Sequence, residues 1–392
     1  MALPPLWKIK REMMRLGAQI ERRLMEIYEP PLQRRHDRRF PRNLTVAEGA
    51  LAPGGKIAIF VLFQPRGIAA STFLACDYLI ANGYAPLLIS NAPLADTDRA
   101  RLLAKAWRVI ERPNRGYDFG AYRDGIRFVD HLGLRPDRLI VMNDSTWFPL
   151  RANDPAIALL EAKPDPFTGL AYKFEPSFRL GAPHVESHFL MFTREAMASA
   201  AYRDFWKGYV SSSSRFRTIQ AGEKGLTAAM FAAGFRTEGL ASKNALRAAL
   251  RGLDAAGLRK VVEEAVVHIA EVEDERLRLL EEYRDSPGWI ERARDFTDEM
   301  LYTFTFLHST SLFYATATLL HLPYLKKSGE LRFHLARKKV LSLNARGEID
   351  AIDPVVLAEI QAAVDGFDED AVRADYWERF RQVAGARARG RS

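Results

Sequence analysis

The chain has one cysteine, Cys76, in 392 residues, so no internal disulfide can form and a reducing compartment suits it. No run of about 18 apolar residues occurs, so no segment is apolar enough to cross a membrane as a helix. The opening "MALPPLWKIKREMM" lacks the apolar middle of a secretory signal, and a cytoplasmic location is expected. After the first strand-like run, "LFQPRG" offers a single glycine, so the G-x-G-x-x-G dinucleotide fingerprint and the P-loop are both missing. The basic residues are not interleaved with stacking aromatics, and nucleic acid is not an expected partner. Internal repeats and low-complexity segments are also missing.

What is present is enough apolar material, 48% of the chain, for a large core in two units with tails. The net charge of +8 is uneven: residues 1–43 hold eleven Lys/Arg against five Asp/Glu. In that stretch Ile9, Met13, Leu16, Ile20, Leu24 and Ile27 recur at spacings of three and four, one stripe of a helix flanked by Lys8, Lys10, Arg11, Arg15, Arg22 and Arg23. Two readings fit it. The helix lies on an anionic membrane surface, in peripheral contact with the inner membrane face, or it docks on its own domain with a solvated basic face.

From Lys56 the pattern becomes that of an open α/β sheet flanked by helices. "KIAIFVLF" (56–63) is nearly continuously apolar, as a strand covered on both faces must be. A helix over 69–82, closed by Asn82-Gly83, precedes the strand "APLLIS" (85–90). Asp96 or Thr97 can cap a short helix to Ala106, and "WRVIE" (107–111) gives a third strand. A helix to about Leu132 and the strand "DRLIVM" (137–142) follow. Further on, "FTGLAYKF" and "SHFLMF" read as strands, "AMASAAYRDFWKGYV" and "EKGLTAAMFAAGF" as helices, and nearly everything after Ser242 as helical. The expected units are a basic amphipathic helix and linker (1–47), a mostly parallel α/β domain (48–242) and a helical C-terminal region (243–392).

Ligands of open parallel sheets bind beyond the carboxyl ends of the strands. Two polar clusters stand at such ends: "NRGYDFGAYRDG" (114–125) after the third strand and "NDS" (143–145) after the fourth. With "NDSTWFPL", "SHFLMF", "EKGLTAAMFAAGF" and "LLHLPYLKKSGELR", they resemble the rhamnan synthesis protein F family over roughly residues 55–333. The resemblance implies a GT-A-like, Rossmann-type glycosyltransferase that helps to build rhamnose-containing surface polysaccharides. Its partners would be a nucleotide-sugar donor, most plausibly dTDP-rhamnose, and a glycan or lipid-linked glycan acceptor.

A breaking glycosidic bond loads charge onto the donor's pyrophosphate, which the protein must meet with cations or oriented amides. Gly116 and Gly120 would let backbone approach the donor, Tyr117 and Tyr122 would line base or sugar, and Arg115 and Arg123 would pair with phosphate. Asn114, Asp118, Asn143 and Ser145 complete the expected donor set. For Asp118 a plain helix cap is the alternative. Asp144 stands where GT-A enzymes carry an Asp-x-Asp motif for Mg or Mn, but Asn143 and Ser145 leave it a single carboxylate. It would bind the metal or the donor's hydroxyls, and an ordinary turn is the alternative. Glu223, expected to open a helix after Gly222, resembles the catalytic base of inverting enzymes. Glu186 and His188, with His184, are accessory candidates for a metal or acceptor site. A non-catalytic sugar-nucleotide-binding or assembly protein is the rival reading, supported by the missing second carboxylate.

Overall fold

The computed structural model describes residues 6–173, 183–302, 307–322 and 324–369. A long helix, α1 (Leu6–Arg39), and a short strand, β1 (Thr45–Glu48), lead into an alternating unit. This comprises β2 (Lys56–Leu62), α2 (Ala70–Ala81), β3 (Ala85–Ser90), α3 (Asp96–Leu103), β4 (Arg108–Glu111), α4 (Tyr117–His131) and β5 (Arg138–Asn143). Next come β6 (Thr146–Trp147), α5 (Ala156–Glu161), β7 (Phe167–Gly169), β8 (Ala171–Lys173), β9 (His184–Val185), β10 (Phe189–Thr193), α6 (Arg194–Ala198) and α7 (Ala200–Gly208). The main sheet has the order β1-β4-β3-β2-β5-β10-β7. Its centre, β4-β3-β2-β5, is parallel, while β1 at one edge and β10 with β7 at the other are antiparallel. The chain direction of winding reverses between β2 and β5, which makes the crevice beyond their carboxyl ends the switch point of the sheet.

The apolar run of β2 is explained by what covers it. Ile57, Ile59 and Val61 pack under α4 with Phe119, Tyr122 and Ile126. The alternate residues Ala58, Phe60 and Leu62 pack on α2 with Ala75 and Leu79. A strand buried on both faces has no room for alternating polarity. Helix α4 sits unusually close to the sheet at Gly125, where a Cβ would fall 2.7 Å from Ile89 Cδ1 and 2.9 Å from Ile59 Cγ2.

Several expected elements differ in detail. "FTGLAYKF" is cut at Leu170, so β7 stays in the main sheet while β8 joins a second sheet with β9 and β11 (Ala241–Ser242). The helix expected across Ala196–Val210 breaks at Ser199, whose hydroxyl accepts from the Tyr202 N–H and starts α7 afresh. Neither Asp96 nor Thr97 caps α3. Ala95 holds that position, and Asp96, inside the first turn, pairs with Arg99 instead. Gly83, at φ +81°, follows the end of α2 as expected. The helices after Ser242 bury their own core, in which Leu312 and Ala315 take part. One short strand there, β12 (Leu325–Lys326), returns to pair antiparallel with β6.

Helix α1 docks by its polar side. Ser212 Oγ and Ser213 N–H donate to the buried Glu29 carboxylate at 2.7 and 3.0 Å, and Gln33 accepts from Ser211 N–H. Asp37 receives Arg123 through two bonds of 2.7 and 2.8 Å. Burial alone would raise the Asp37 carboxyl, but the hydrogen bonds from Arg123 and Gln33 and the Arg127 charge bring it down to about 2. The apolar stripe faces outward: Met13, Leu24 and Ile27 are 68, 55 and 72% exposed. The side chains of Ile9, Leu16 and Ile20 lie outside the described residues.

Alanine is ordinarily favoured over glycine in a helix, so Gly125 is retained for space. Gly125→Val is expected to cost about 1–3 kcal/mol in urea unfolding by overpacking. An unchanged midpoint would show that α4 can lift off the sheet without penalty.

Candidate active site

The loop after β4 is organised from below by Arg112. This buried guanidinium donates to Asp124 at 2.9 Å, to Asn91 at 2.6 Å and to the Arg115 carbonyl at 2.7 Å. The chain then turns through Gly116 and Tyr117, both left-handed at φ +76° and +51°. A tyrosine held there is strained, and such strain gathers at functional sites.

The two glycines serve the chain's own packing rather than the approach of a ligand. A Cβ on Gly116 would meet Ser211 Cβ at 2.5 Å, and one on Gly120 the Arg115 carbonyl oxygen at 2.1 Å. Neither expected phosphate-binding arginine is free for that role. Arg115 donates to the Leu32 carbonyl of α1 at 2.9 Å, and Arg123 is buried against Asp37. Asn114 is exposed at the loop's outer edge, away from the cleft-lining residues. Tyr122 is fully buried and donates to the Ser187 carbonyl at 2.9 Å, so it supports the cleft floor from beneath.

Tyr117, Asp118 and Phe119 are the parts of the loop that reach the switch-point crevice. There they meet Asn143, Ser145, His188 and Glu223 around a cleft of about 210 Å³. The Asn143 amide donates to Asp118 Oδ2 at 2.9 Å while its carbonyl accepts from the Ser145 N–H and hydroxyl. The end of β5 is thereby tied to the start of α4. Asp118 does not cap its helix, since Gly116 holds that position and no side-chain cap bond forms. Burial, then the neighbouring charges of Asp144 and Glu223, push the Asp118 carboxyl up to about 7 against the opposing pull of Arg215.

Asp144 is beside the cleft rather than in its lining. Its Oδ2 accepts from the Phe63 N–H and the Gln64 amide, each at 2.9 Å, and so staples the carboxyl end of β2 to that of β5. Glu223 does not open a helix as expected. It lies in a π-helical turn, Thr218–Lys224, which runs into the helix Gly225–Ala232. Such turns are rare and frequent at functional sites. Its Oε1 accepts from the Ser187 N–H at 2.7 Å, and its Oε2 stands 3.9 Å from His184.

Glu186 is buried behind the cleft, 2.7 Å from Lys326 and 3.3 Å from His188 Nδ1. Burial opposes its charge, but Lys326 and His188 outweigh it and hold the carboxyl well below the usual range. Burial and the Lys326 charge lower His188, against the opposing effect of Glu186.

Residues 87–253 match the family model of rhamnan synthesis protein F. The matched segment begins in β3 and carries both loop motifs, β10 and the Glu223 turn, and the family's description points to polysaccharide synthesis. A protein of Sinorhizobium fredii, "Uncharacterized protein y4gN", is 28% identical over 351 residues, covering 88% of this chain and 89% of its own. No solved structure matches.

Two cations of the cleft lie outside the motifs. Arg215 lines the cleft, exposed and with no ion pair among the described residues. Nothing in "SSSSRFR" announces it. Lys326 arrives on β12 from the helical region, and only the "LPYLKK" resemblance hinted at that segment. Among the described residues no three His, Cys, Asp or Glu side chains cluster as a metal cage. Asp144 Oδ2 accepts from two hydrogen-bond donors, so of this carboxylate Oδ1 is the oxygen left to meet a cation.

With its carboxyl raised, folded Asp118 keeps a proton that the unfolded chain releases at about pH 3.9. Stability contributed by this group is therefore lost as pH rises toward its folded value of about 7. Asp118→Asn removes the ionisation, so its stabilising effect should be larger at pH 8 than at pH 5 by about 2–3 kcal/mol. Urea unfolding at the two pH values checks this, and an equal change at both would show that Asp118 titrates normally.

Proposed function

We propose that this protein is a GT-A-like glycosyltransferase that moves a deoxyhexose, rhamnose from dTDP-rhamnose, onto a growing cell-surface polysaccharide or lipid-linked glycan with inversion. The observation that carries the reading is the meeting of Tyr117, Asp118, Asn143, Ser145 and Glu223 with Arg215 and Lys326 in one switch-point cleft. The rhamnan synthesis match supports the substrate class. The cleft's 210 Å³ is below the roughly 300 Å³ at which small-molecule pockets begin. It suits the sugar and its adjacent phosphate, with the nucleotide lying over the exposed Tyr117 and Arg215.

In the transfer step the acceptor hydroxyl oxygen bonds to the anomeric carbon, and the carbon–oxygen bond to the diphosphate breaks. Glu223 takes the hydroxyl proton, and the diphosphate leaves with the bonding pair. Arg215 and Lys326 meet the charge that grows on it. Asp118, neutral below about pH 7, donates a hydrogen bond to a phosphate oxygen instead of repelling it. No step is routed through Mg or Mn: Asp144 offers one oxygen beside the one taken by Phe63 and Gln64, and no carboxylate or histidine cluster joins it among the described residues. A cation would rest mainly on the donor's phosphates.

Transfer from dTDP-rhamnose should fall about 10²–10⁴-fold in Glu223→Gln. Asp118→Asn should stay active and lose a decline in rate above about pH 7. Full activity of Glu223→Gln would remove it as base, and a dead Asp118→Asn would make Asp118 the base. The occupied Asp144 oxygen also favours a second reading, a sugar-nucleotide-binding assembly protein. Calorimetric binding of the donor without product from any acceptor would select it.

The outward stripe of α1 supports placing the enzyme at the inner membrane face, where a lipid-borne acceptor resides. Arg34, Arg35, Arg38 and Arg39 continue the helix in exposed positions. Leu24→Glu with Ile27→Glu should reduce co-sedimentation with anionic vesicles about tenfold. Equal sedimentation of both proteins would detach α1 from that role.

A further inference from the structure

Behind α4 lies a second cleft of about 830 Å³, within the size range of small-molecule sites. Its walls are the outer face of α4, the start of β5, helices α6 and α7, and Asp37 and Phe40 from the end of α1. Trp206 in its wall stacks on Phe119 of the first cleft, with ring centroids 5.9 Å apart, so the two sites stand back to back.

The lining is sharply divided. Ile126, Val129, Leu134, Leu139 and Met197 supply an apolar floor. The polar part holds six Arg/Lys, of which Arg123 and Arg127 pair with Asp37, Arg135 with Asp130 and Arg194 with Asp137, leaving Arg203 and Lys207. Asp37 is consumed by Arg123 and Arg127, and Asp130 is met at the surface by Arg135. On α7, Arg203 and Lys207 are one turn apart and exposed. Arg203 donates to the Ala198 carbonyl, and neither side chain has an ion pair among the described residues. The Tyr202 hydroxyl and the Trp206 indole N–H in the wall are buried with no hydrogen-bond partner among the described residues.

Two uncompensated cations at the rim, Arg203 and Lys207, over an aliphatic floor select a ligand with the complementary division. A nucleobase is a poor occupant, because its hydrogen-bonding edges would face Ile, Val, Leu and Met side chains. The basic tail "GARARGRS" would be repelled by the rim. We propose that this cleft binds a lipid phosphate, its alkyl chain on the floor between α4 and α6 and its phosphate on Arg203 and Lys207. Arginine gives the forked contact to phosphate oxygens and lysine the point charge. The inference does not rest on sugar transfer, since the ligand is held and not converted.

Calorimetry with dodecyl phosphate below its micelle concentration tests it on the full chain. Dodecyl phosphate should bind at least tenfold more tightly than dodecyl maltoside, which keeps the chain without the anion, or inorganic phosphate, which keeps the anion without the chain. Arg203→Ala with Lys207→Ala, both at exposed positions, should weaken dodecyl phosphate at least tenfold with an unchanged melting temperature. Met197→Trp, which fills the floor, should weaken it similarly if its melting temperature is retained. Equal affinity for the maltoside, or unchanged binding by the double variant, would overturn the proposal.

Discussion

The hydrogen bond from the Asn143 amide to the Asp118 carboxylate holds the candidate site together. It joins the end of a central parallel strand to the first turn of the helix beside it. The Asp144 carboxylate makes the matching link, across the sheet to the backbone that leaves the other central strand. Both contacts occur at the point where the winding of the sheet reverses. Two chain ends diverge there and leave a crevice that nothing in the sheet itself can fill.

The electrostatics follow from that crowding. Burial first, and then the nearby charges of Asp144 and Glu223, raise Asp118 toward neutrality. Behind them Glu186 stays ionised because Lys326 and His188 accompany it into the interior. The site therefore contains one carboxyl poised to exchange its proton and one locked in its charged form. Burial acts on both, and the sign of the outcome is set by which cations reach them. Lys326 reaches Glu186 because a two-residue strand from the helical region adds itself to β6.

Helix α1 reverses the usual arrangement of an amphipathic helix on a globular domain. Its polar residues Glu29, Gln33 and Asp37 are spent on internal partners, and Arg123, which a motif reading would assign to phosphate, is one of them. Of its apolar stripe, Met13, Leu24 and Ile27 are left outside. A buried ion pair of this kind adds modest net stability but fixes one geometry, because removing either partner leaves an uncompensated charge.

The sequence alone determined the alternation of strands and helices from Lys56 to Asn143, since apolar runs covered on two faces and glycine-closed helices are local signals. It also marked Tyr117, Asp118, Asn143, Ser145, His188 and Glu223, which the fold gathers in one cleft. It could not distinguish a glycine kept for a ligand from Gly116 and Gly120, kept to clear Ser211 and the Arg115 carbonyl. Nor could it show that Arg115 and Arg123 face α1, that Glu223 lies within a π-helical turn, or that Arg215 and Lys326 complete the site. Those outcomes depend on contacts between segments tens to hundreds of residues apart. Only the tertiary structure decided them, because spacing along a chain specifies which face of an element a side chain occupies and not what that face will meet.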